Sequence, residues 1–474
     1  MELYPFQQED VAKIVRQRGG LIGSEMGTGK TLEAIELDQA WYDKRTNKPT
    51  LVIAPLNTFD GWLDKYHQQA PDVDVVVIDR KNRGRFVQDI RRKRGDVFLM
   101  HWEALRLKDM AELRAFEFGT IIGDEIHRAS NRKSQTFQAL KKLRAEHKLG
   151  MSGTASGDQP QNLWSALNWL WPTYYSSYWR FRKHYCVEEK VETEGGFGQG
   201  YTKIVGVQNI PALMAEMEPW YVRHLKREQC CVHHPQGVMP WLLDKTYDKI
   251  WVDLSPTQRR IYEQMRKEMV AWVGEHEDSP LVAGVVVAQL TRLSQIALAT
   301  PTFDEMGNVG LTDPSSKLDA LIPLLEDNSN KQFVVASASK KMVYLTQERL
   351  KAKGISSFAL SGDTKQSDRD GMVQRFANGD TQVFLGVIDA MAEGIDGLQW
   401  ATDTMVFLDR SWKTVKNMQC EDRLHRDGQK NAVQIIDIMA RNTVDLGRHQ
   451  KLETKWSWIK KILGDKFNNM EAAA

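Results

Sequence analysis

The sequence predicts an α/β protein built on parallel sheets, and three observations lead there. Short apolar, β-branched runs recur as Leu51-Val52-Ile53-Ala54, Val75-Val76-Val77-Ile78, Val97-Phe98-Leu99-Met100 and Thr120-Ile121-Ile122-Gly123. Each precedes a polar or helix-patterned stretch, the alternation of strands covered on both faces. The same rhythm breaks over 173–310 and returns at Phe333-Val334-Val335-Ala336, Val383 to Val387, Thr404 to Leu408 and Gln434-Ile435-Ile436. Finally, a glycine-rich loop, Gly23-Ser24-Glu25-Met26-Gly27-Thr28-Gly29-Lys30-Thr31, lies between Leu21-Ile22 and the helix-like run Leu32 to Leu37. The expected layout is two parallel-sheet lobes, 1–172 and 311–445. A mainly helical insertion and linker, 173–310, joins them, and a helical tail, 446–474, follows. A chain of 474 residues suits about three domains.

Composition narrows the class. A hydrophobic fraction of 42% with 15 Trp suits a well-packed globular protein. A net charge of +2 gives no global pull on polyanions, so any nucleic-acid contact must be local. Four Cys without regular spacing suit a reducing compartment. Met1-Glu2-Leu3-Tyr4-Pro5 shows no basic-then-apolar signal pattern. The longest apolar run, Leu281 to Leu290, is too short to span a bilayer. The expectation is a soluble, cytoplasmic protein without membrane contact.

Taken in order, Leu3 to Gln8 leads into a helical pattern that runs to Val15. The amide of Gln7 carries both donor and acceptor and could read an adenine edge. In the loop, Gly27, Thr28 and Gly29 would turn backbone N–H groups toward phosphate oxygens, helped by the positive end of the next helix. Lys30 would reach the β- and γ-phosphates, and the Thr31 hydroxyl would ligate Mg²⁺. The strict pattern wants Gly where Ser24 stands, with Gly23 one residue early. Asp124-Glu125-Ile126-His127 closes the strand at Ile121-Ile122. Asp124 would hold Mg²⁺ and Glu125 would deprotonate an attacking water. Lys148 to Ala155 reads as a further strand ending in the small-residue turn Ser152-Gly153-Thr154-Ala155.

Gly23–Thr31, Asp124-Glu125-Ile126-His127 and Ser152-Gly153-Thr154-Ala155 resemble motifs I, II and III of superfamily-two helicases. The flanks Glu25-Met26 and Asn162 to Pro172 resemble the Swi/Snf-type ATPases. Ile126 departs from that family's usual Ala. In the middle stretch, Trp179-Arg180-Phe181-Arg182-Lys183-His184-Tyr185 interleaves basic and aromatic residues, suiting either a nucleic-acid backbone or a helix with snorkelling charges. Glu194 to Gly200 reads as a loop. Cys230-Cys231-Val232-His233-His234 lacks zinc spacing. Pro219 to Lys226 and Thr257 to Met265 resemble the family's interlobe linker.

The second lobe repeats the sheet pattern without a second phosphate loop. Arg423 and Arg426 are three apart, so a helix would place both on one face. Guanidinium suits charge developing on a γ-phosphoryl group. Gln419 to Gln429 resembles motif VI of the Swi/Snf-type ATPases. Ala392-Glu393-Gly394-Ile395-Asp396 stands where motif V belongs, but Gly394-Ile395-Asp396 is closer to helicases proper.

The resemblance spans about Leu3 to Gln429 and implies two RecA-like lobes with ATP and Mg²⁺ in the cleft between them. It implies completion of the site by Arg423 and Arg426, and coupling through Ser152, Gly153, Thr154, Gly394 and Gln419. The implied partner is DNA, duplex or branched, bound without sequence preference. A monomeric motor from a bacterium or phage is expected. A strand-separating helicase on DNA or RNA and a nucleotide-switched scaffold remain as alternatives.

Overall fold

A computed structural model of the chain describes residues 2–465 apart from 93, 192–200, 229–233, 276–281, 306–308 and 393–394. Glu194 to Gly200, Cys230, Cys231, His233 and Gly394 therefore lie outside the described residues. The chain divides into two compact units. One gathers Met1–Glu189, Ile204–Pro240 and Lys455–Ala474, and the other Lys190–Lys203 and Trp241–Thr454.

The first unit's strands are β1 (Gly19–Ile22), β2 (Thr50–Ala54), β3 (Val75–Ile78), β4 (Val97–His101), β5 (Glu117–Asp124) and β6 (Arg144–Met151). The strands β7 (Cys186–Val191) and β8 (Tyr201–Val207) pair with each other, and β9 (Tyr221–Val222) returns to the main sheet. That sheet is parallel, in the order β3-β4-β2-β5-β6-β1-β9. Successive side chains face opposite layers: Leu51, Ile53 and Ile121 enter one core cluster, and Val52, Ala54 and Ile122 the other. Both faces are covered, so the strands read as unbroken apolar runs. Burying each Leu or Ile contributes about 1.5–3 kcal/mol.

The second unit carries β10 (Thr246–Val252), β13 (Phe333–Ser337), β14 (Ser357–Leu360), β15 (Val383–Val387), β16 (Thr404–Phe407) and β17 (Gln434–Ala440). They form a parallel sheet in the order β10-β17-β16-β13-β15-β14. A separate antiparallel ribbon joins β11 (Thr300–Phe303) to β12 (Val309–Thr312). Lys317 is buried in this unit, where its Nζ donates to Leu408 O at 2.6 Å and pairs with Asp445 Oδ2 at 2.6 Å. Two parallel-sheet α/β bodies are what the sequence predicts.

The division of the chain differs from expectation. Residues 173–310 are not one helical insertion. Tyr221–Val222 pairs with Leu21 and Ile22, so the Pro219 to Lys226 stretch belongs to the first sheet. β10 pairs with β17, and the helices Pro256–Glu275 and Val282–Leu298 also lie in the second unit. These strands escape a periodicity reading because β9 has two residues and β10 is largely exposed, so neither shows an apolar run. The tail also differs. From Lys455 onward it belongs to the first unit, with Ile459, Ile462 and Leu463 in that unit's core. No helix among the described residues is long and apolar enough to cross a membrane.

Candidate nucleotide site

β1 ends at Ile22, and seven residues separate it from the helix Lys30–Trp41. The intervening backbone turns back on itself because Gly27 (φ 83°) and Gly29 (φ 87°) take left-handed conformations. At Gly29 a β-carbon would also lie 2.4 Å from Gln7 Nε2. The loop braces itself: Thr28 Oγ1 donates to Glu25 O at 2.8 Å, and Lys30 Nζ donates to Ser24 O at 2.8 Å and Glu25 O at 2.7 Å. Burial lowers the Lys30 pKa, while the charges of Glu125 and Asp124 work the other way. Ser24, the departure from the glycine pattern, accepts the His224 N–H through its Oγ at 3.1 Å.

Gln7 lies against the loop. It is buried; its Oε1 accepts from Tyr4 N at 2.9 Å and its Nε2 donates to Thr28 O at 3.0 Å. Both ends of the amide engage local backbone, which makes Gln7 a brace for the loop.

Two strands away from β1, β5 delivers Asp124 and Glu125. Trp62 Nε1 donates to Asp124 Oδ2 at 3.0 Å, and Trp102 Nε1 to the Asp124 carbonyl at 2.7 Å. Burial and the neighbouring Glu125 charge push the Asp124 carboxyl up to about 6. Glu125 takes a left-handed backbone (φ 52°, ψ 53°), costly for a residue with a β-carbon. Its Oε2 accepts from Ser152 Oγ at 3.0 Å and lies 3.1 Å from His127 Nδ1. Burial raises the Glu125 pKa, but the His127 hydrogen bond and charge, with Lys30 and Ser152, hold it down at about 2. Ser152 Oγ also accepts from Thr154 N at 3.1 Å, fixing the turn after β6. The structure thus brings Lys30, Asp124, Glu125, Ser152 and Thr154 into one hydrogen-bonded and electrostatically linked group.

The sequence reading missed Trp62 and Trp102. No spacing rule pairs an indole with a carboxylate 62 residues away. Trp62→Phe should lose the N–H together with the five-membered ring of the indole. The lost hydrogen bond to a charged group is worth about 1.5–3 kcal/mol, and the small cavity left at this buried site adds to the cost. Urea denaturation measures it; an unchanged midpoint would mean that this N–H adds nothing.

The residues present fit a hard cation. Thr31 offers a hydroxyl, Asp124 a buried carboxylate pushed up by burial and by its neighbour, and Glu125 a half-buried carboxylate held charged. Oxygen donors beside concentrated negative charge suit Mg²⁺.

In the second unit the helix Thr414–Glu421 ends before the two arginines. Arg423 and Arg426 lie in the turns that follow, not on one helix face. Glu421, the last helical residue, is held by Arg410, Lys245 and Tyr247. Arg423 donates to Ile395 O at 2.8 Å and to Ala392 O. Arg426 pairs with Asp396 Oδ1 at 3.0 Å, and both side chains reach solvent. Such an exposed pair is worth about 0–1 kcal/mol, so Arg426 can leave it easily. Gln419 is buried, with its Oε1 unpartnered among the described residues. Gly428 has φ 92°, and a β-carbon there would lie 2.1 Å from the Trp400 ring. Gln429 donates to Gln399 O and Thr402 O and accepts from Lys430 N and Asn431 N, so it clasps the local backbone.

The basic–aromatic helix Tyr178–Tyr185 packs one face into the core and exposes the other. Phe181 and Tyr185 are buried, whereas Trp179 is 62% exposed. The Arg132 guanidinium lies 4.3 Å from the Tyr178 ring centroid and 5.4 Å from that of Trp179.

A phosphate loop between strand and helix, with an acidic pair ending a parallel strand two places along the same sheet, defines a P-loop protein of the parallel α/β class. A family model of the SNF2-related domain matches residues 9–297, and one of the helicase conserved C-terminal domain matches residues 316–428. The chain belongs to the SNF2-related family. Nuclear protein STH1/NPS1 of Saccharomyces cerevisiae is 27% identical over 96% of this chain and 34% of its own length. The ATP-dependent helicase brm of Drosophila melanogaster is 28% identical over 90% of this chain and 27% of its own. An uncharacterized ATP-dependent helicase of Mycoplasma pneumoniae is 23% identical over 98% and 43%. The chain thus spans less than half the length of these curated relatives. The Sulfolobus solfataricus SWI2/SNF2 ATPase core in complex with dsDNA aligns over 98% of this chain and 94% of its own, at 20% identity and a TM-score of 0.43.

Proposed function

We propose that this chain is an ATP-driven motor that moves along duplex DNA without fully separating its strands. The observation that carries the reading is the linked group in the first unit, in which Ser152 and His127 hold the Glu125 carboxylate and Lys30 bears on it electrostatically. Membership of the SNF2-related family supports the choice of motor class.

In this reading the loop N–H groups of Gly27, Thr28 and Gly29 and the Lys30 ammonium bind the ATP phosphates. Lys30 moves from its present carbonyl partners to do so. Mg²⁺, held by Thr31 and Asp124, would supply neutralisation of charge on the β- and γ-phosphate oxygens. Glu125 orients the attacking water and accepts its proton; the group's depressed pKa keeps it ionised and able to accept. Ser152 reports the state of Glu125 to the turn at Gly153 and Thr154. Arg426 answers the charge developing on the γ-phosphoryl group, and Arg423 braces the backbone at Ala392 and Ile395. Gly394 and Gln419 belong to the coupling path. The motor works as a monomer in the cytoplasm of a bacterium or phage-infected cell, on duplex or branched DNA.

DNA grip comes from local basic groups, among them Arg132, Arg180 and Lys183 beside the exposed Trp179. Affinity should then fall linearly in log–log terms with salt and show no sequence preference. The deciding experiment compares ATP-dependent displacement of a third strand from a triplex with unwinding of a long plain duplex. Triplex displacement without duplex unwinding is expected. Efficient unwinding of the plain duplex would favour a strand-separating helicase instead. An absence of ATP turnover on any DNA would leave a nucleotide-switched scaffold.

A further inference from the structure

The loop from Gly23 to Thr31 is shaped from outside as well as from within. The stretch from Tyr221 to Lys226 runs beside it. Gly23 N donates to Val222 O at 2.8 Å and Glu25 N to His224 O at 2.9 Å. In the other direction, Lys226 N donates to Glu25 Oε2 at 2.6 Å, adding to the bond from His224 N to Ser24 Oγ.

Arg223 stands at the centre of this contact. Its Nη1 donates to the carbonyls of Gly23 and of Gly153, the latter at 2.9 Å. Its Nε and Nη2 form a two-point pair with Asp465, both at 2.7 Å. The side chains are only 9% and 1% exposed. One guanidinium therefore joins the entry of the phosphate loop, the turn that carries Ser152, and the end of the described chain. Tyr221 adds a second tie to that end, donating its hydroxyl to Leu463 O at 3.0 Å.

A buried charge is costly unless fully paired, and its planar fork fixes direction as well as charge. Without Asp465 the guanidinium would lose the partner that orients it, and both carbonyls would lose a fixed donor. The first carbonyl sets where the loop N–H groups point. The second sets the turn whose Ser152 Oγ holds Glu125. The contact thus reaches the binding half and the hydrolytic half of the site together.

We propose that Arg223 and Asp465 are positioning residues of the nucleotide site, through which the C-terminal segment sets the geometry of the phosphate loop and of the Ser152-Gly153-Thr154 turn. The proposal rests on the reading of Gly23–Thr31 as the ATP loop. Neither residue touches the reacting atoms.

The test is ATPase kinetics on the full chain carrying Asp465→Asn, with Ile462→Val as comparison. Ile462 is fully buried in the same C-terminal segment and makes no contact with the guanidinium's partners through polar groups. Its trimming loosens packing while leaving Arg223 paired. Both variants are assayed below their melting transitions, as followed by circular dichroism. Asp465→Asn should lower kcat/KM by about 10²-fold, the scale on which small misplacements act, with both a raised KM and a lowered kcat. Ile462→Val should lower the melting temperature and leave kcat/KM unchanged. Wild-type kcat/KM in Asp465→Asn, or an equal loss in Ile462→Val, would overturn the proposal. Should Asp465→Asn fail to fold, Arg223→Lys decides in its place. It keeps the charge but cannot span Asp465 and both carbonyls, so the same loss is expected, and normal kinetics would overturn the idea. A wild-type chain that fails to bind a fluorescent ATP analogue would reject the nucleotide reading itself, a result distinct from either.

Discussion

Glu125→Gln should bind ATP with near-normal affinity and hydrolyse it about 10²–10⁴-fold more slowly, the range lost with a general base. The amide keeps the length of the side chain and can still accept the Ser152 hydroxyl through Oε1. It cannot take a proton from water. Lys30→Ala should behave differently, losing binding and turnover together, because the ammonium meets the phosphates before reaction as well as during it. Titration with a fluorescent ATP analogue separates the two variants, and phosphate release measures turnover. Hydrolysis by Glu125→Gln near the wild-type rate would remove the base assignment. Tight ATP binding by Lys30→Ala would remove the loop assignment.

Arg426→Ala should lower kcat by about 10³–10⁵, the range for arginines that meet transition-state charge, while KM for ATP changes less. The reason for choosing Arg426 over Arg423 is the difference in their partners. Arg426 has one exposed carboxylate to leave, Asp396. Arg423 holds two backbone carbonyls, Ile395 and Ala392. Arg423→Ala should therefore act chiefly on stability, with about 1–3 kcal/mol for each buried group left unsatisfied. Steady-state kinetics and urea denaturation of the two variants make the comparison. A large rise in KM with kcat intact in Arg426→Ala would reject its role.

The parts of the site that were legible in the sequence are those whose chemistry is local. Gly27 to Thr31 states its own turn and the helix that follows. Asp124-Glu125 follows an apolar strand that could only be buried, and Ser152-Gly153-Thr154 follows another. Their partners were illegible. Trp62 and Trp102 look like ordinary core residues, and Arg223 meets a carboxylate 242 residues away. Gln7 showed its chemical type, but its partners Tyr4 N and Thr28 O carry no sequence signal. Arg423 and Arg426 were placed on a helix because spacing alone says nothing of where a helix stops. The two sheets were legible wherever strands are buried on both faces. The strands β9 and β10 were not, the first too short and the second too polar to carry a period.

The order of the first sheet has a consequence for how the protein behaves at high concentration. Its terminal strands are β3 and β9. The latter offers only Tyr221 and Val222, too little ladder to template another chain. The former, Val75-Val76-Val77-Ile78, is an apolar and only half-buried edge, the kind of segment that seeds intermolecular β-pairing. Asp72 and Asp74 precede it, and Asp79, Arg80 and Lys81 follow. Charges of both signs at its ends act as gatekeepers: an incoming strand would have to desolvate them to extend the ladder. Extension of the sheet by a second chain is thus opposed by a few charged residue types at the rim of one strand.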